Sequence, residues 1–158
     1  MAGEHSMRIE NLRVPDDPPA GGAILRVLAN GICGADWDLY DGALQRLIPT
    51  LRLPLVPGHE VVGEIAAIDP AAARSWGVAE GDRVAVETVV RCGQCRSCIA
   101  GLGRCADRMT YGLTSAEIGS GLWGGMAEYM VLRPGTSVFP IPEGMSDADA
   151  GLFNPFGN

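Results

Sequence analysis

Four of the chain's five cysteines lie within fifteen residues, in the stretch RCGQCRSCIAGLGRC that runs from Arg91 to Cys105. Their spacing is C-x2-C-x2-C-x6-C, formed by Cys92, Cys95, Cys98 and Cys105. A loop that turns back on itself can direct four such thiolates at one point, and tetrahedral zinc accepts four thiolates at about 2.3 Å. The spacing therefore predicts a closed four-thiolate zinc site, a kind that is usually structural and supports folding rather than catalysis.

An iron–sulfur cluster and unligated thiols are the two alternatives to zinc for these cysteines. The first three cysteines also match the start of a bacterial ferredoxin run, C-x2-C-x2-C-x3-C-P. The last gap here is six residues, and Ala106 follows in place of proline, so the spacing favours zinc. Unligated surface thiols are disfavoured by the reactivity of exposed free cysteines.

The length and composition of the chain indicate one folded domain. A chain of 158 residues can bury about 70% of the surface that it exposes when unfolded, and 47% hydrophobic with 20% charged residues is typical of globular proteins. Twelve basic against 19 acidic residues give a net charge of −7, and no basic stripe with interleaved aromatic residues is present. We therefore expect no nucleic-acid partner, because such a partner needs a cationic face.

The N-terminus and the cysteine usage indicate a compartment. MAGEHSMRIE carries charges where a signal peptide would be apolar, and no apolar run is long enough to span a bilayer. We expect no membrane partner and a cytoplasmic, reducing location. Closely spaced cysteines in that setting bind metal more often than they form disulfides, and an odd total of five does not suit a fully paired framework.

Short apolar stretches bracketed by Gly, Pro or Asp predict a mainly β fold. Their mixed alternation and the frequent turns favour a partly closed sheet. Helical signal is sparse, with a short turn around 36–40 and a helix start at Ser146, where a capping serine precedes acidic residues. The stretches that we interpret as strands are 23–29, 59–68, 82–90, 125–132 and 137–141.

Two further motifs hold the residue types of a catalytic metal site. NGICGADWD places Cys33 after a predicted strand, and PGHE places His59 and Glu60 at the start of another. Three mixed ligands with one open position are the pattern of a catalytic zinc site. Taken alone, these residues leave a simpler alternative open, in which Cys33 is a small core residue and His59 a hydrogen-bonded polar group.

Taken in order, GICGAD, PGHEVVGEI, GDRVAV, CGQCRSC and GGMAEYMVL resemble the N-terminal GroES-like domain of zinc-dependent medium-chain alcohol dehydrogenases and reductases. The resemblance extends from about Ala23 to Asn158. It implies a GroES-like, partly open β-barrel with short helices over residues 1–158 and a four-cysteine structural-zinc lobe at about 91–108. It also implies two zinc ions per chain, and NAD or NADP held by a Rossmann domain that is absent from this chain.

The resemblance also assigns roles in the catalytic zinc site. It implies that Cys33 and His59 ligate the zinc, with Glu60 as an alternative ligand or a nearby carboxylate. Asp36 matches an aspartate that orients a histidine ligand by accepting its other N–H, although a helix cap is the alternative role for this residue. Adjacent residues on a strand point to opposite faces, so His59 and Glu60 should not both reach the metal without a local twist.

Three positions depart from the family's pattern at this site. Ala35 stands where a serine or threonine often passes the substrate proton outward, and Asp38 stands where a histidine is frequent. Because alanine cannot relay a proton, alcohol chemistry must use water at the metal, Glu60 or another route. The remaining ligand position falls at Asn154, whose neutral amide is a poor zinc ligand; the surrounding LFNPFGN resembles threonine- and polyol-type members.

One short motif suggests a nucleotide site and fails on context. GSGLWG, residues 119–124, matches G-x-G-x-x-G, but no apolar strand precedes it and a strand rather than a helix is predicted after it. We interpret this segment as a turn.

The sequence thus predicts the zinc-binding catalytic domain of an NAD(P)-dependent alcohol or polyol dehydrogenase, inactive alone without its Rossmann domain. Its substrate would be a small-molecule alcohol or polyol, and a full-length enzyme could form an oligomer. The alternative is a non-catalytic zinc-binding GroES-like module with a degenerate active site, which the departures at Ala35, Asp38 and Asn154 favour.

Overall fold

The computed structural model describes residues 5–103 and 105–153. Seven strands form two antiparallel sheets. The strands are β1 (Ala23–Gly31), β2 (Glu60–Ile68), β3 (Arg83–Val86), β4 (Val89–Val90), β5 (Met109–Thr110), β6 (Tyr129–Leu132) and β7 (Val138–Pro140). The main sheet has the order β6-β1-β2-β3-β7, and β4 pairs with β5 in the small one. The mainly β prediction is confirmed.

Two of the predicted strands are longer than the strands observed. The stretch 82–90 divides into β3 and β4, which belong to different sheets. The chain leaves the main sheet at Glu87, whose N–H bonds to the Ser137 carbonyl at 3.0 Å. The stretch 125–132 is a strand only from Tyr129, because the N–H groups of Gly125 and Met126 bond instead to a turn at residues 57–58.

The described residues contain five short helices, more than the sequence pattern predicted; four lie between strands and the last follows β7. The helices are α1 (Gly34–Tyr40), α2 (Ala43–Leu47), α3 (Pro70–Trp76), α4 (Arg96–Ile99) and α5 (Asp147–Ala150). The predicted helical turn at 36–40 and the start at Ser146 are confirmed; α2, α3 and α4 were not predicted. The helices of the described residues are at most seven residues long, too short to span a membrane.

The missed helix α3 has clear sequence signals at both ends. The Asp69 side chain accepts the Ala71 N–H at 2.9 Å, and proline occupies the first turn, where its missing N–H costs nothing. Gly77 ends the helix with φ at 69°, a left-handed conformation that glycine adopts without strain. Asp69 and Pro70 are therefore a start signal for this helix, and Gly77 is its stop signal.

The main core lies against the five-stranded sheet and includes a buried polar network around Tyr111. The Tyr111 side chain is fully buried among residues such as Leu25 and Met130. Its hydroxyl lies 2.7 Å from the Thr136 hydroxyl and accepts the Arg133 backbone N–H at 2.8 Å. Burial raises the pKa of Tyr111 to about 12. The network ties β5 to the turn that follows β6.

We expect Tyr111→Phe to lower the free energy of unfolding by about 1–3 kcal/mol, because the partly buried Arg133 N–H loses its acceptor and the buried Thr136 hydroxyl loses a partner. Urea denaturation followed by circular dichroism measures this change. The matched control is Tyr129→Phe, whose hydroxyl makes no hydrogen bond to another described residue and which should change the stability by less than about 0.5 kcal/mol. Equal losses in the two variants would contradict the network's contribution.

The same tyrosine predicts a loss of stability at high pH. An acid whose folded-state pKa lies above its unfolded value favours folding while it is protonated. The contribution of Tyr111 is therefore present below its unfolded pKa of about 10 and is lost as the pH rises towards about 12. This part of the alkaline destabilisation should be missing in Tyr111→Phe.

Candidate metal centres

The four clustered cysteines lie in a loop, residues 91–108, that the β4–β5 pair closes at its base. The Sγ atom of Cys92 lies 3.5 Å from that of Cys105 and 4.0 Å from that of Cys98. All four sulfur atoms, including that of Cys95, lie within 4.8 Å of one another. A tetrahedral zinc site with 2.3 Å bonds has sulfur–sulfur edges of about 3.8 Å. The four thiols therefore fit a zinc ion without a large rearrangement.

Backbone donors prepare part of this cluster for metal. The Cys98 N–H and the Cys92 N–H each lie 3.4 Å from a sulfur, donating to Cys95 and Cys105 respectively. These bonds lower the pKa of the Cys95 thiol to about 6 and lower the pKa of Cys105 as well. Burial raises the pKa of Cys98 to about 12. Since metal binds thiolates, the lowered pKa values of Cys95 and Cys105 make these two ligands easier to deprotonate when an ion binds.

A second group forms where β1 ends and β2 begins. Cys33 follows β1 and is the N-cap of α1, whereas Glu60 is the first residue of β2 and pairs with Gly31. The Cys33 Sγ lies 3.1 Å from the His59 Nε2. One ligand atom each from Cys33, His59 and Glu60 lies within 4.8 Å of the other two. A thiol, an imidazole and a carboxylate thus converge and could hold one metal ion.

His59 and Glu60 reach the same point although they are neighbours in the sequence. His59 lies outside β2, so the alternation of a strand does not apply to its side chain. Gly58 turns the chain just before it with φ at 95°, and the His59 carbonyl accepts the Thr88 hydroxyl at 2.8 Å. This turn supplies the local twist that lets both side chains converge on one point.

Asp36 is buried and connects the two halves of this group. Its Oδ2 accepts the Cys33 backbone N–H at 2.9 Å, as the third residue of a capping box. Its Oδ1 lies 3.8 Å from the His59 Nδ1, within the range of an ion pair but beyond a hydrogen bond. The Asp36 carboxylate can therefore serve both roles considered for it, because one oxygen caps the helix and the other lies beside the histidine.

The departures from the family's pattern lie beside this group or outside the described residues. Ala35 and Asp38 lie on α1, and the Asp38 side chain is exposed. Asn154 lies outside the described residues. The nucleotide-like segment 119–124 forms turns, with positive φ at Gly119 and Gly121 and no helix after it. The interpretation of this segment as a turn is confirmed.

Gly31 is a residue of the second group that sequence reasoning missed. A Cβ atom on Gly31 would lie 2.0 Å from the Glu60 Oε2 and 2.9 Å from the Glu60 Cβ. The glycine therefore leaves the space that the Glu60 side chain occupies. The available signal was that this glycine lies between the predicted strand 23–29 and Cys33.

We expect Gly31→Ala to weaken metal binding at the second group by roughly 10–100-fold, because the Glu60 carboxylate must move. The matched control is Gly34→Ala, where an added Cβ meets nothing within 4 Å. Zinc titration against a competing chelator measures both affinities. If Gly31→Ala binds as tightly as Gly34→Ala, the position of Glu60 is irrelevant to the metal.

The amino-acid sequence of the chain is similar to those of known proteins. The family model described as "Alcohol dehydrogenase GroES-like domain" matches residues 19–143. A probable alcohol dehydrogenase of Mycobacterium tuberculosis is 43% identical over 149 residues, 92% of this chain and 38% of that protein. An L-threonine 3-dehydrogenase of Rhizobium johnstonii is 38% identical over 159 residues, 98% of this chain and 41% of that protein.

A solved structure agrees with these similarities. The crystal structure of the alcohol dehydrogenase from the hyperthermophilic archaeon Aeropyrum pernix matches 100% of this chain and 43% of that one, with a TM-score of 0.77 and 26% identity. The chain thus spans about two fifths of the length of the proteins that it matches.

Proposed function

Because the chain belongs to the zinc-dependent medium-chain dehydrogenase/reductase family, as its alcohol dehydrogenase GroES-like domain, we propose that it is the metal-binding catalytic domain of an alcohol dehydrogenase. The family and the GroES-like fold predicted from the sequence are confirmed. On this basis we also propose that the protein is an oxidoreductase of the zinc type. We further propose residues 1–158 as this domain, residues 91–108 as its structural-zinc lobe, and two zinc ions per chain.

The convergence of Cys33, His59 and Glu60 is the observation that supports the proposal most directly. Their ligand atoms lie within 4.8 Å of one another although Cys33 is 26 residues from His59. These three side chains would hold the catalytic ion. The four cysteines of the lobe form a closed set and would hold the structural ion.

A zinc ion at the second group would supply Lewis acidity for the oxygen of an alcohol substrate. The residues of the chain would orient and complete that site. Asp36 holds Cys33 through its backbone and stands beside His59, so it would fix the orientation of the imidazole ring. Ala35 carries no hydroxyl to relay the substrate proton, so water or, where it does not ligate the ion, the Glu60 carboxylate would accept it.

Hydride transfer also needs a nicotinamide cofactor, NAD or NADP. We propose that this cofactor is bound by residues outside 5–103 and 105–153. Among residues 5–103 and 105–153, no strand–turn–helix unit of the dinucleotide-binding type occurs. We therefore expect no steady NAD(P)-dependent oxidation of alcohols or polyols by the purified 158-residue chain. Absorbance at 340 nm measures this, and steady turnover would contradict the assignment of the cofactor to other residues.

The metal content of the purified, reduced chain tests the proposal directly. Elemental mass spectrometry should find two zinc ions per chain. One zinc would mean that only the lobe is filled and would favour the alternative of a non-catalytic zinc-binding module. Iron in place of zinc would contradict the assignment of the four-cysteine lobe.

A further inference from the structure

We propose that a pocket beside the cysteine lobe, lined by three arginines, binds a small organic phosphate monoester. Its lining residues come from separate parts of the chain, and none of them belongs to either metal centre. They include Arg52, Arg108, Arg133, Leu113, Ile118 and Trp123. The inference concerns binding alone and does not depend on the proposed function.

The charge of the pocket is the first argument. Arg52, Arg108 and Arg133 line it, and no acidic residue of the described chain does. Elsewhere on the molecule arginines pair with carboxylates, as Arg83 does with Asp147. Within residues 5–103 and 105–153, none of the three pocket arginines has a carboxylate within 4.0 Å. In a chain with a net charge of −7, such a local excess of positive charge favours an anionic ligand.

The environment of Arg133 strengthens this argument. Its side chain is half-buried, and its Nη1 lies 3.4 Å from the sulfur of buried Met109, a weak acceptor. A guanidinium removed from water without a carboxylate is costly, and a bound anion would offset that cost.

The other two arginines differ in how firmly they are held. Arg52 donates from Nη1 to the carbonyls of Pro49 at 2.7 Å and Leu51 at 3.2 Å, which holds its guanidinium in place. Arg108 is exposed and makes no hydrogen bond or ion pair within the described chain. Both guanidinium groups line the same pocket, one held by hydrogen bonds and the other with none in the described chain. Arginine suits phosphate because its planar fork binds two oxygens at once.

The apolar lining indicates that the ligand has an organic part. Leu113, Ile118 and buried Trp123 line the same pocket, whose volume is about 400 Å³, in the range of small-molecule sites. Two of the hydroxyl groups are already used, since Thr114 donates to the Thr110 carbonyl and Ser115 to the Pro54 carbonyl. The phosphate would therefore rely on the arginines, and the apolar residues would contact the rest of the ligand.

Isothermal titration of the purified chain with phenyl phosphate tests the proposal. We expect saturable binding with one ligand per chain, weakened roughly tenfold or more in Arg108→Gln and in Arg133→Gln. Inorganic phosphate should bind more weakly, because it lacks the apolar part. Arg108→Gln is the safer variant, since its exposed side chain makes no hydrogen bond or ion pair within the described chain. Circular dichroism confirms the fold of each variant.

Arg74→Gln is the matched control, because Arg74 lies on α3 and does not line the pocket. The proposal is overturned if phenyl phosphate shows no saturable binding below about 10 mM, or if Arg74→Gln weakens binding as much as Arg108→Gln does. It is also overturned if inorganic phosphate binds as tightly as phenyl phosphate. Binding that a zinc chelator abolishes and that ignores both pocket variants would place the ligand on a metal instead.

Discussion

Cys105→Ser is expected to remove one zinc ion per chain and to leave residues 91–108 without a fixed structure. Cys105 is the most buried ligand of the lobe, and its sulfur also accepts the Cys92 N–H. Structural zinc sites bind with about 10–16 kcal/mol, comparable to the whole stability of a typical domain. Among its described residues the lobe has one helix, the four-residue α4, so little other regular structure can hold it folded.

Limited trypsin digestion together with zinc analysis measures this effect. The chain has arginines at positions 91, 96, 104 and 108, so trypsin reports directly on the lobe. Cleavage there should become much faster in Cys105→Ser, because proteolysis follows the population of the open state. Gln94→Ala is the matched control, an exposed residue between two of the cysteines. A Cys105→Ser chain that keeps two zinc ions and resists trypsin would contradict a four-thiolate site.

His59→Ala is expected to remove the other zinc ion while the lobe keeps its own. The Nε2 atom of His59 lies beside the Cys33 Sγ, so the variant deletes one of only three protein ligands available in the described group. We expect the affinity of this site for zinc to fall by more than about 100-fold, the upper range for loss of a group that only supports a ligand. The trypsin pattern of the lobe should stay unchanged.

The control for this variant is Ile32→Ala, because Ile32 precedes Cys33 and its side chain is 80% exposed. It should keep both zinc ions. Retention of two tightly bound zinc ions by His59→Ala would mean that the imidazole is not a ligand. Loss of both ions would mean that His59 supports the fold as a whole rather than one site.

The two metal centres differ in how far the sequence could predict them. The cysteines of the lobe lie close together along the chain, so their spacing alone predicted a common site. The strands β1, β2, β6 and β7 were also found from apolar patterning, which depends on local alternation. The split of 82–90 into β3 and β4 was missed, because apolar alternation does not indicate which sheet a residue joins.

The amino-acid sequence by itself determined the family, the mainly β fold and the grouping of the four clustered cysteines. These features depend on residue order and on ligands that are near neighbours. Only the tertiary structure decided that Cys33 meets His59 and Glu60, because pairing of β1 with β2 and the turn at Gly58 bring them together. The three arginines of the pocket lie far apart along the chain. Only the packing of the folded chain brings them to one pocket.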